Sequence, residues 1–346
     1  MVTRGRPSRR AVLDALERAK ETLADVGGLP SAEEAEGIWE GIWHEDTHHS
    51  TAIEGNTMAL RQVRILLEEG LAVGNKELRE YLEIQAYSQA AKWVYGQALR
   101  SDEWRPRESV TLTEMREIHR LVMEPVWRIL PPSNLPPEER PGSFRTADIE
   151  PLASGHKPPA GPDVPALISD WLEFVNAGPG STLLVEHCAD AHARLERIHP
   201  FRDGNGRTGR LVLNLLLVRH GYPPAIIYKS ARTRYIRALA RTDRGDVGPL
   251  TELLARSVTQ SINKFVLPGL AGSHRMVPLA ALATKKLSAL ALRRAAERGR
   301  LRAIRKTDQW YSTKKWVEEY STSRRRGPRP RTDQPADQVR STSDRV

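Results

Sequence analysis

Residues 199–210 read His199-Pro-Phe-Arg-Asp-Gly-Asn-Gly-Arg-Thr-Gly-Arg210, and an apolar stretch from Leu211 to Val218 follows at once. Glycine lets backbone N–H groups approach an anion closely, and a helix that begins near Arg207 directs its positive end to the same place. Asp203 is suited to a hard cation such as Mg²⁺, and His199 is suited to proton transfer near neutral pH. The run therefore predicts chemistry on a phosphate group.

The setting of this run is helix–loop–helix. The residues before it, from Val185 to Ile198, have a helical pattern, and the Gly-Lys-Ser/Thr of a Walker A loop is missing. Arg207 and Arg210 are three residues apart, so both guanidinium groups leave one side of the helix start. The spacing predicts a pair of cations aimed at one anionic group.

The run resembles the His-Pro-Phe-x-Asp/Glu-Gly-Asn-Gly-Arg-x-x-Arg signature of Fic-domain proteins, and every fixed position is met. The resemblance covers roughly residues 37–265, about two thirds of the chain. It implies an all-α fold, a Fic-type helical bundle with a small β-hairpin flap that aligns the target. It also implies transfer of AMP from ATP, with Mg²⁺, to a Ser, Thr or Tyr hydroxyl of a protein, which includes this chain itself as a target.

The resemblance assigns roles to individual residues of this chain. His199 would be the general base that deprotonates the attacking hydroxyl, and Asp203 would hold the Mg²⁺. Asn205 and the glycines beside it would cradle the α-phosphate, and the two arginines would bind the β- and γ-phosphates. The nucleotide would thus contact Gly204, Asn205, Gly206, Arg207, Arg210 and, where the family builds its adenine pocket, Tyr235.

A second motif lies far upstream, in Ser50-Thr-Ala-Ile-Glu-Gly-Asn56. Ser50 and Glu54 are one helical turn apart and share a face, and the Gly-Asn pair is a good helix terminator. The motif resembles the inhibitory motif that precedes some Fic cores. The resemblance implies that Glu54 pairs with Arg210 and keeps that arginine from the γ-phosphate, so that the enzyme restrains itself.

The segment His44-Glu-Asp-Thr-His48 matches the H-E-x-x-H pattern of zinc proteases, with both histidines on one helix face. No third ligand is evident, and the segment runs directly into the Ser50 motif. We interpret these histidines as a polar helix face.

Composition favours a cytoplasmic protein without a membrane partner. The chain of 346 residues has no long apolar run, and its first ten residues lack the apolar part of a signal peptide. Cys188 is the single cysteine, so no intrachain disulfide can form. We expect Cys188 to be a buried structural residue rather than a nucleophile.

The positive charge is confined to the C-terminus. Residues 276–346 hold 18 Lys and Arg against 7 Asp and Glu, a net charge of +11. Residues 1–275 hold 35 against 36, a net charge of −1. A localised basic footprint favours an acidic partner, with nucleic acid first.

The order of elements in this basic region resembles the winged helix-turn-helix domains of the excisionase and MerR kind. The pattern predicts helices at Pro278–Ala283, Ser288–Arg298 and Thr313–Tyr320, with strands at Leu301–Arg305 and Gln309–Ser312. Arginine in a major groove reads guanine, and other basic side chains hold phosphates. The candidate DNA-binding residues are Arg293, Arg294, Arg298, Arg300 and Lys306.

Four regions are expected: a helical region at 1–105 with an inhibitory helix around 44–56, a Fic core at 106–267, a basic winged helix-turn-helix at 268–323, and a disordered tail at 324–346. A homodimer would suit a helix-turn-helix on a palindromic DNA site. Two other functions stay open: removal of AMP by the same site, and a DNA-binding transcriptional regulator whose Fic module senses nucleotide.

Overall fold

The computed structural model describes residues 7–26, 28–30, 36–100, 108–133, 135–136, 138–150, 155–270, 277–284, 286–306 and 309–325. The chain divides into two compact units, and the division falls between Leu270 and Ala271. The sequence places this boundary at 268, three residues earlier. The predicted tail at 324–346 lies outside the described residues from 326 onward.

In its described part, the N-terminal unit has helices as its only regular secondary structure. Its α-helices are α1 (Arg9–Asp25), α2 (Glu36–Ile53), α3 (Leu60–Glu69), α4 (Leu78–Leu99), α5 (Leu112–Trp127), α6 (Val164–Asn176), α7 (Leu184–Ile198), α8 (Asn205–Arg219), α9 (Arg232–Thr242), α10 (Gly248–Ser261) and α11 (Leu267–Leu270). A π-helical turn at Ile262–Val266 joins the last two, and short 3₁₀ turns precede α6 and α9. The prediction of an essentially all-helical fold is confirmed.

Helix α8 lies at the centre of this unit, where it packs against α4, α5 and α7. Nearly all its residues are buried, because the run from Leu211 to Val218 is apolar except for Asn214, whose side chain is hydrogen-bonded to Tyr95 and Ala225. The helix begins at Asn205, two residues before the predicted start near Arg207. The phosphate-type loop is therefore attached to the most deeply buried helix of the unit.

Helix α2 is buried on more than one face, and the interpretation of its histidines as a polar face is wrong. His44 to Thr47 are all buried. The Asp46 carboxylate accepts hydrogen bonds from the hydroxyls of Tyr95 at 2.6 Å and Tyr87 at 3.2 Å. Burial raises the pKa of Asp46. This polar cluster fixes α2 against α4, close to the start of α8.

The small β-hairpin flap is not formed in the described residues between Arg140 and Gly161, where the structure has no strand. The backbone groups that a ladder would use are already bonded to side chains. The carboxylate of Glu139 accepts from the N–H groups of Thr146 at 2.7 Å and Ala147 at 3.0 Å. The prolines of this segment also lack the N–H group that a strand ladder would use.

The C-terminal unit is a small α+β domain. Strands β1 (Val277–Pro278), β2 (Ile304–Lys306) and β3 (Gln309–Ser312) form an antiparallel sheet in the order β1-β3-β2. Helix α12 (Ala289–Glu297) precedes β2, and α13 (Lys314–Arg325) follows β3. The Ser288 hydroxyl caps α12 by accepting from the Ala291 N–H at 3.2 Å.

The first predicted helix of this unit, Pro278–Ala283, is not formed. Pro278 pairs with Tyr311 in the sheet, and the Leu279 N–H donates to the Trp310 carbonyl. The residues after Pro278 form turns instead of a helix, with i→i+3 hydrogen bonds from the N–H groups of Ala281 and Leu282. The sheet therefore takes the residues that would have begun the first helix of a helix-turn-helix.

No helix in the described part of the chain is long and apolar enough to cross a membrane. Cys188 on α7 is buried, as predicted, and burial raises the pKa of its thiol to about 12. A thiol in this state is a poor nucleophile near neutral pH.

Candidate active site

The loop between α7 and α8 begins with an unusual backbone conformation at His199. Among the described residues other than glycine, His199 alone has a positive φ, 51°. That conformation costs a residue with a Cβ about 1–2 kcal/mol. It ends α7 and turns the chain into the loop, where the side-chain amide of Asn205 both accepts from the Phe201 N–H and donates to the Phe201 carbonyl, each at 2.8 Å.

The imidazole of His199 is set up as a proton acceptor. Its Nδ1 lies 3.2 Å from the Glu196 carbonyl oxygen, which can only accept, so Nδ1 carries the proton and Nε2 keeps a free lone pair. Burial lowers the pKa of His199. The neutral form therefore dominates at neutral pH, as a general base requires.

Asp203 and Arg207 belong to a charged cluster with two residues of α4. Asp203 Oδ1 accepts from the Gly204 N–H at 2.6 Å and lies 3.3 Å from Arg207 Nη2. Its other oxygen pairs with Arg79 Nη2 at 3.2 Å. Arg207 is buried, and its Nη1 lies 3.3 Å from the carboxylate of Glu83. The predicted metal ligand, Asp203, and the predicted phosphate-binding residue, Arg207, are thus each paired with an oppositely charged side chain of the protein.

Arg210 is buried under the C-terminal end of α2. Its Nε donates to Ser50 Oγ at 2.8 Å, and its Nη2 donates to Glu54 Oε1 at 2.9 Å and to the Ser50 carbonyl at 2.9 Å. Burial lowers the pKa of Arg210, but Glu54 and the other acidic groups around it together outweigh burial, and the net shift is upward. A Cβ at Gly206 would collide with Glu54 Oε1. Only glycine there lets this carboxylate reach the arginine.

The end of α2 has a second anchor. Arg232 Nε, at the start of α9, donates to the Ile53 carbonyl at 2.7 Å, which satisfies one of the free acceptors at the helix end. The same end of α2 lines a pocket of about 200 Å³ that also contains His199 and Arg210.

The predicted base-pocket residue lines this cavity as well. Tyr235 is buried, and its hydroxyl lies 2.7 Å from His192 Nε2. Apolar side chains of Ile53, Ile236 and Leu239 complete the wall. The pocket combines apolar sides with charged groups at one end, an arrangement suited to a nucleoside with its phosphates.

Glu196 is a carboxyl group in the pocket wall that sequence reasoning missed. Its Oε1 is buried without a hydrogen-bond partner in the described part of the chain, and the nearest imidazole nitrogen, His192 Nε2, is 3.9 Å away. Burial raises the pKa of Glu196 to about 7, although Arg210 lowers it. The neutral acid is therefore favoured in the folded protein over much of the acid range.

A stability measurement tests this state. Between the ordinary glutamate pKa, about 4.5, and about 7, the folded protein keeps a proton that the unfolded chain loses. The free energy of unfolding therefore falls as pH rises through this window, by on the order of 3 kcal/mol at most. Glu196→Gln should remove this contribution. We expect urea unfolding of the variant at pH 5 and pH 7.5 to give a smaller difference than wild type; an unchanged difference would show that Glu196 is ionised throughout.

His119, which packs beside the loop, is a second residue of the site that the sequence motif does not include. His119 accepts from the Gly142 N–H through Nδ1 at 2.8 Å and donates through Nε2 to the Asp203 carbonyl at 3.0 Å. Its ring stacks on Phe201, with centroids 3.8 Å apart. Burial lowers the pKa of His119 to about 4, so this neutral ring supports the loop as a fixed hydrogen-bond bridge. A buried histidine in α5 carries no sequence signal for this role.

The H-E-x-x-H histidines do not come together. Among the described residues, one group of potential metal ligands contains His44 and Glu40 of α2 together with Glu68 of α3. His48 does not belong to this group. Burial lowers the pKa of His48 to about 4.

The candidate DNA-binding residues lie in the C-terminal unit, apart in sequence from the site above. Arg293 and Arg294 are exposed on α12, and Arg293 Nε pairs with Glu297 at 2.8 Å. Arg298 and Arg300 are exposed just after the helix, and Lys306 ends β2. Leu292, Ala295 and Ala296 form the buried side of α12.

Fold and loop together define a helical domain with an anion-binding type of loop at its central helix, and comparison with known proteins gives its family. Residues 109–217 match the model of the Fic/DOC family. The chain therefore contains a Fic domain, as the signature predicts.

Relatives and solved structures agree with this assignment. The protein adenylyltransferase Fic of Culex quinquefasciatus is 34% identical over 271 residues, which cover 77% of this chain and 49% of the relative. That of Aedes aegypti is 34% identical over 238 residues, or 68% of this chain and 44% of the relative. The chain thus spans about half the length of the curated relatives it matches.

Among solved structures, a Fic-1 fragment of C. elegans has a TM-score of 0.60 and 27% identity, covering 73% of this chain and 70% of that one. A Fic domain-containing signaling protein of Bacteroides thetaiotaomicron has a TM-score of 0.59 and 24% identity, covering 72% of this chain and 96% of that one. The second comparison supports the fold alone.

Proposed function

We propose that this chain is a protein adenylyltransferase that transfers AMP from ATP to a Ser, Thr or Tyr hydroxyl and is held inactive by Glu54. The observation that carries the proposal is the convergence of four groups at the start of α8. They are the neutral imidazole of His199, the carboxylate of Asp203 and the buried guanidinium groups of Arg207 and Arg210.

In the proposed reaction, the target hydroxyl gives its proton to His199 Nε2 as its oxygen attacks the α-phosphorus. The bond from that phosphorus to the bridging oxygen of the β-phosphate breaks, and pyrophosphate leaves. Arg207 and Arg210 stabilise the charge on the leaving phosphates, and backbone N–H groups around Gly206 face the α-phosphate. Little covalent chemistry is required of the protein beyond one proton transfer, so positioning dominates.

Asp203 has the properties of a Mg²⁺ ligand. Its carboxylate is a hard oxygen donor, and 40% of its side chain is exposed. Bound there, the ion would neutralise charge on the phosphates. In this structure Arg79 lies against the same carboxylate, and that guanidinium, itself 47% exposed, must release Oδ2 before the site can bind a metal.

The self-restraint follows from the pairing of Arg210. A γ-phosphate that binds this guanidinium would compete with the Glu54 carboxylate for the same N–H donors. The two anions would also repel each other if both bound there. Since Asp46 and Arg232 anchor α2 as far as Ile53, we expect release to involve Glu54 and Gly55, which lie beyond this anchor, rather than the whole helix.

The test is incubation with α-labelled ATP, with and without Mg²⁺, followed by measurement of label on the chain and of released pyrophosphate. Wild type, Glu54→Gly and Glu54→Gly/His199→Ala proteins are compared. Label on Glu54→Gly alone supports the proposal. Unlabelled protein that nonetheless binds ATP would instead favour AMP removal, in which Glu54 aligns a water, or a site that only senses nucleotide.

We also propose that the C-terminal unit binds DNA. The observation that favours this is the exposed arginine cluster at 293–302 on and after α12, in a region of net charge +11. Such a footprint binds phosphates first and reads bases second. A dimer on a two-fold DNA site would double these contacts.

Arg293→Ala/Arg294→Ala is expected to weaken binding of a fluorescent 25-base-pair duplex at least about tenfold in 50 mM salt, with a salt slope smaller by about two phosphate contacts. Fluorescence anisotropy over a salt series measures both. Arg61→Ala/Arg64→Ala, on exposed positions of α3, is the matched control and should bind as wild type does. Equal binding by all three proteins would reject this face.

A further inference from the structure

Arg145 is a buried cation that the proposed chemistry does not use. It lies outside the signature, just after the loop at 141–144, and is 1% exposed. Burying a guanidinium is costly unless its donors are satisfied, so its partners indicate why the chain keeps it there. Burial lowers the pKa of Arg145, which is the direction expected for a cation without a bonded carboxylate.

Its donors converge on the loop that carries the candidate base. Nε donates to the His199 carbonyl at 2.8 Å, and Nη2 donates to the Ile198 carbonyl at 3.2 Å. The backbone N–H of Arg145 donates to the Pro200 carbonyl at 2.9 Å. One residue thus bonds three consecutive carbonyls, centred on the residue whose backbone is in the left-handed region.

The other side of the guanidinium reaches a different segment. Nη1 donates to the Ala147 carbonyl at 3.0 Å, and Nη2 also donates to the Pro159 carbonyl at 2.6 Å. These two residues lie at or next to the ends of the stretch, residues 146–158, in which the resemblance places a target-aligning flap. Arg145 therefore ties both ends of that stretch to the backbone of His199.

We propose that Arg145 is a positioning residue that fixes His199 in its productive conformation and joins it to the backbone at Ala147 and Pro159. The inference rests on the proposed role of His199 as base. A planar fork with several donors can hold carbonyls on two sides at once, whereas a lysine ammonium cannot. The left-handed turn at His199, which costs energy on its own, persists because these bonds stabilise it.

Two substitutions separate charge from geometry, both in the Glu54→Gly background. Arg145→Lys keeps the charge and loses the fork, and Arg145→Gln loses both. We expect kcat for self-labelling to fall about 10- to 100-fold in each, with the KM for ATP changed less than threefold, because the bonds of Arg145 go to the base loop rather than to the arginines beside the phosphates. Arg194→Gln, at an exposed position of α7, is the control and should keep kcat.

A second readout does not depend on activity. The His199 imidazole resonance, assigned by its loss in His199→Ala, is followed through a pH titration. Arg145→Gln should raise the pKa of His199, since the guanidinium charge lowers it in the wild type, and both variants should shift the resonance itself. Folded variants with an unchanged resonance and unchanged kcat would overturn the inference. Unchanged kcat with a shifted resonance would instead count against His199 as the base.

If neither variant folds, the unmutated protein supplies the test. The Arg145 Nε–H, identified by its nuclear Overhauser contact to His199, should exchange with solvent at least ten times more slowly than the Nε–H of Arg194. Equal exchange rates would overturn the inference.

Discussion

Glu54→Gly is expected to label itself with AMP about 10- to 100-fold faster than the wild-type chain. The substitution removes the carboxylate that holds Arg210 Nη2 at 2.9 Å, and hydrogen bonds to charged groups are worth about 1.5–3 kcal/mol. Freed from this pair, the guanidinium can bind the γ-phosphate and orient ATP for attack. The initial rate of label incorporation from α-labelled ATP measures the change.

Two controls make the result specific to this pair. Glu54→Gln keeps the shape and one weak hydrogen bond but loses the charge, so its rate should lie between those of wild type and Glu54→Gly. Glu69→Gly, at the exposed end of α3, makes the same substitution away from the site and should match wild type. If Glu54→Gly and Glu69→Gly label equally slowly while both bind ATP, the restraint by Glu54 is refuted.

His199→Ala is expected to lower the labelling rate of the Glu54→Gly protein by about 10²–10⁴-fold, the contribution of a well-placed general base. The imidazole is the group whose free Nε2 and lowered pKa suit it to accept the hydroxyl proton. ATP affinity should change little, because the phosphates contact the arginines rather than this ring. Single-turnover rates and ATP titration by calorimetry separate the two effects.

The matched control is His156→Ala, a half-buried histidine in the same pocket wall whose Nε2 faces the Arg197 carbonyl. It should keep the rate within a fewfold. The pH dependence gives a further check. A base whose pKa is lowered stays neutral to lower pH, so the rate should hold down to pH values below the ordinary histidine pKa of about 6.5 and then fall as Nε2 is protonated. A rate that rises toward acid pH would contradict His199 as base.

Local sequence was sufficient for the central element of the fold. The run from Leu211 to Val218 is apolar except for Asn214, which favours α8 as a buried central helix, and the glycines before it indicate where the loop lies. The spacing of Ser50 and Glu54, one turn apart, places both on one helix face. These features depend on neighbours in the chain, so a pattern of residues is enough to predict them.

Local sequence failed where other segments compete for the same backbone groups. The expected flap near Thr146 is not paired in the described residues because Glu139 and Arg145 already bond its N–H and carbonyl groups. The expected helix at Pro278–Ala283 is not formed because β3 pairs with its first residue, Pro278, and the residues that follow make turns. The helix is lost to a partner that is remote in the sequence, and the flap is lost to side-chain bonds with its backbone. Residue propensity describes neither effect.

The sequence by itself determined the Fic signature, its candidate catalytic residues and the helical character of the chain, because the chemistry of a short loop requires particular side chains at fixed spacing. The resemblance already implied that Glu54 pairs with Arg210, 156 residues away, and the tertiary structure brings their polar atoms to 2.9 Å. Only the tertiary structure bonded Arg145 to the carbonyls around His199. It also buried Glu196, and this burial raises the pKa of the carboxyl group. Burial and hydrogen bonding between remote segments arise only when the helices pack, since they depend on distance in space.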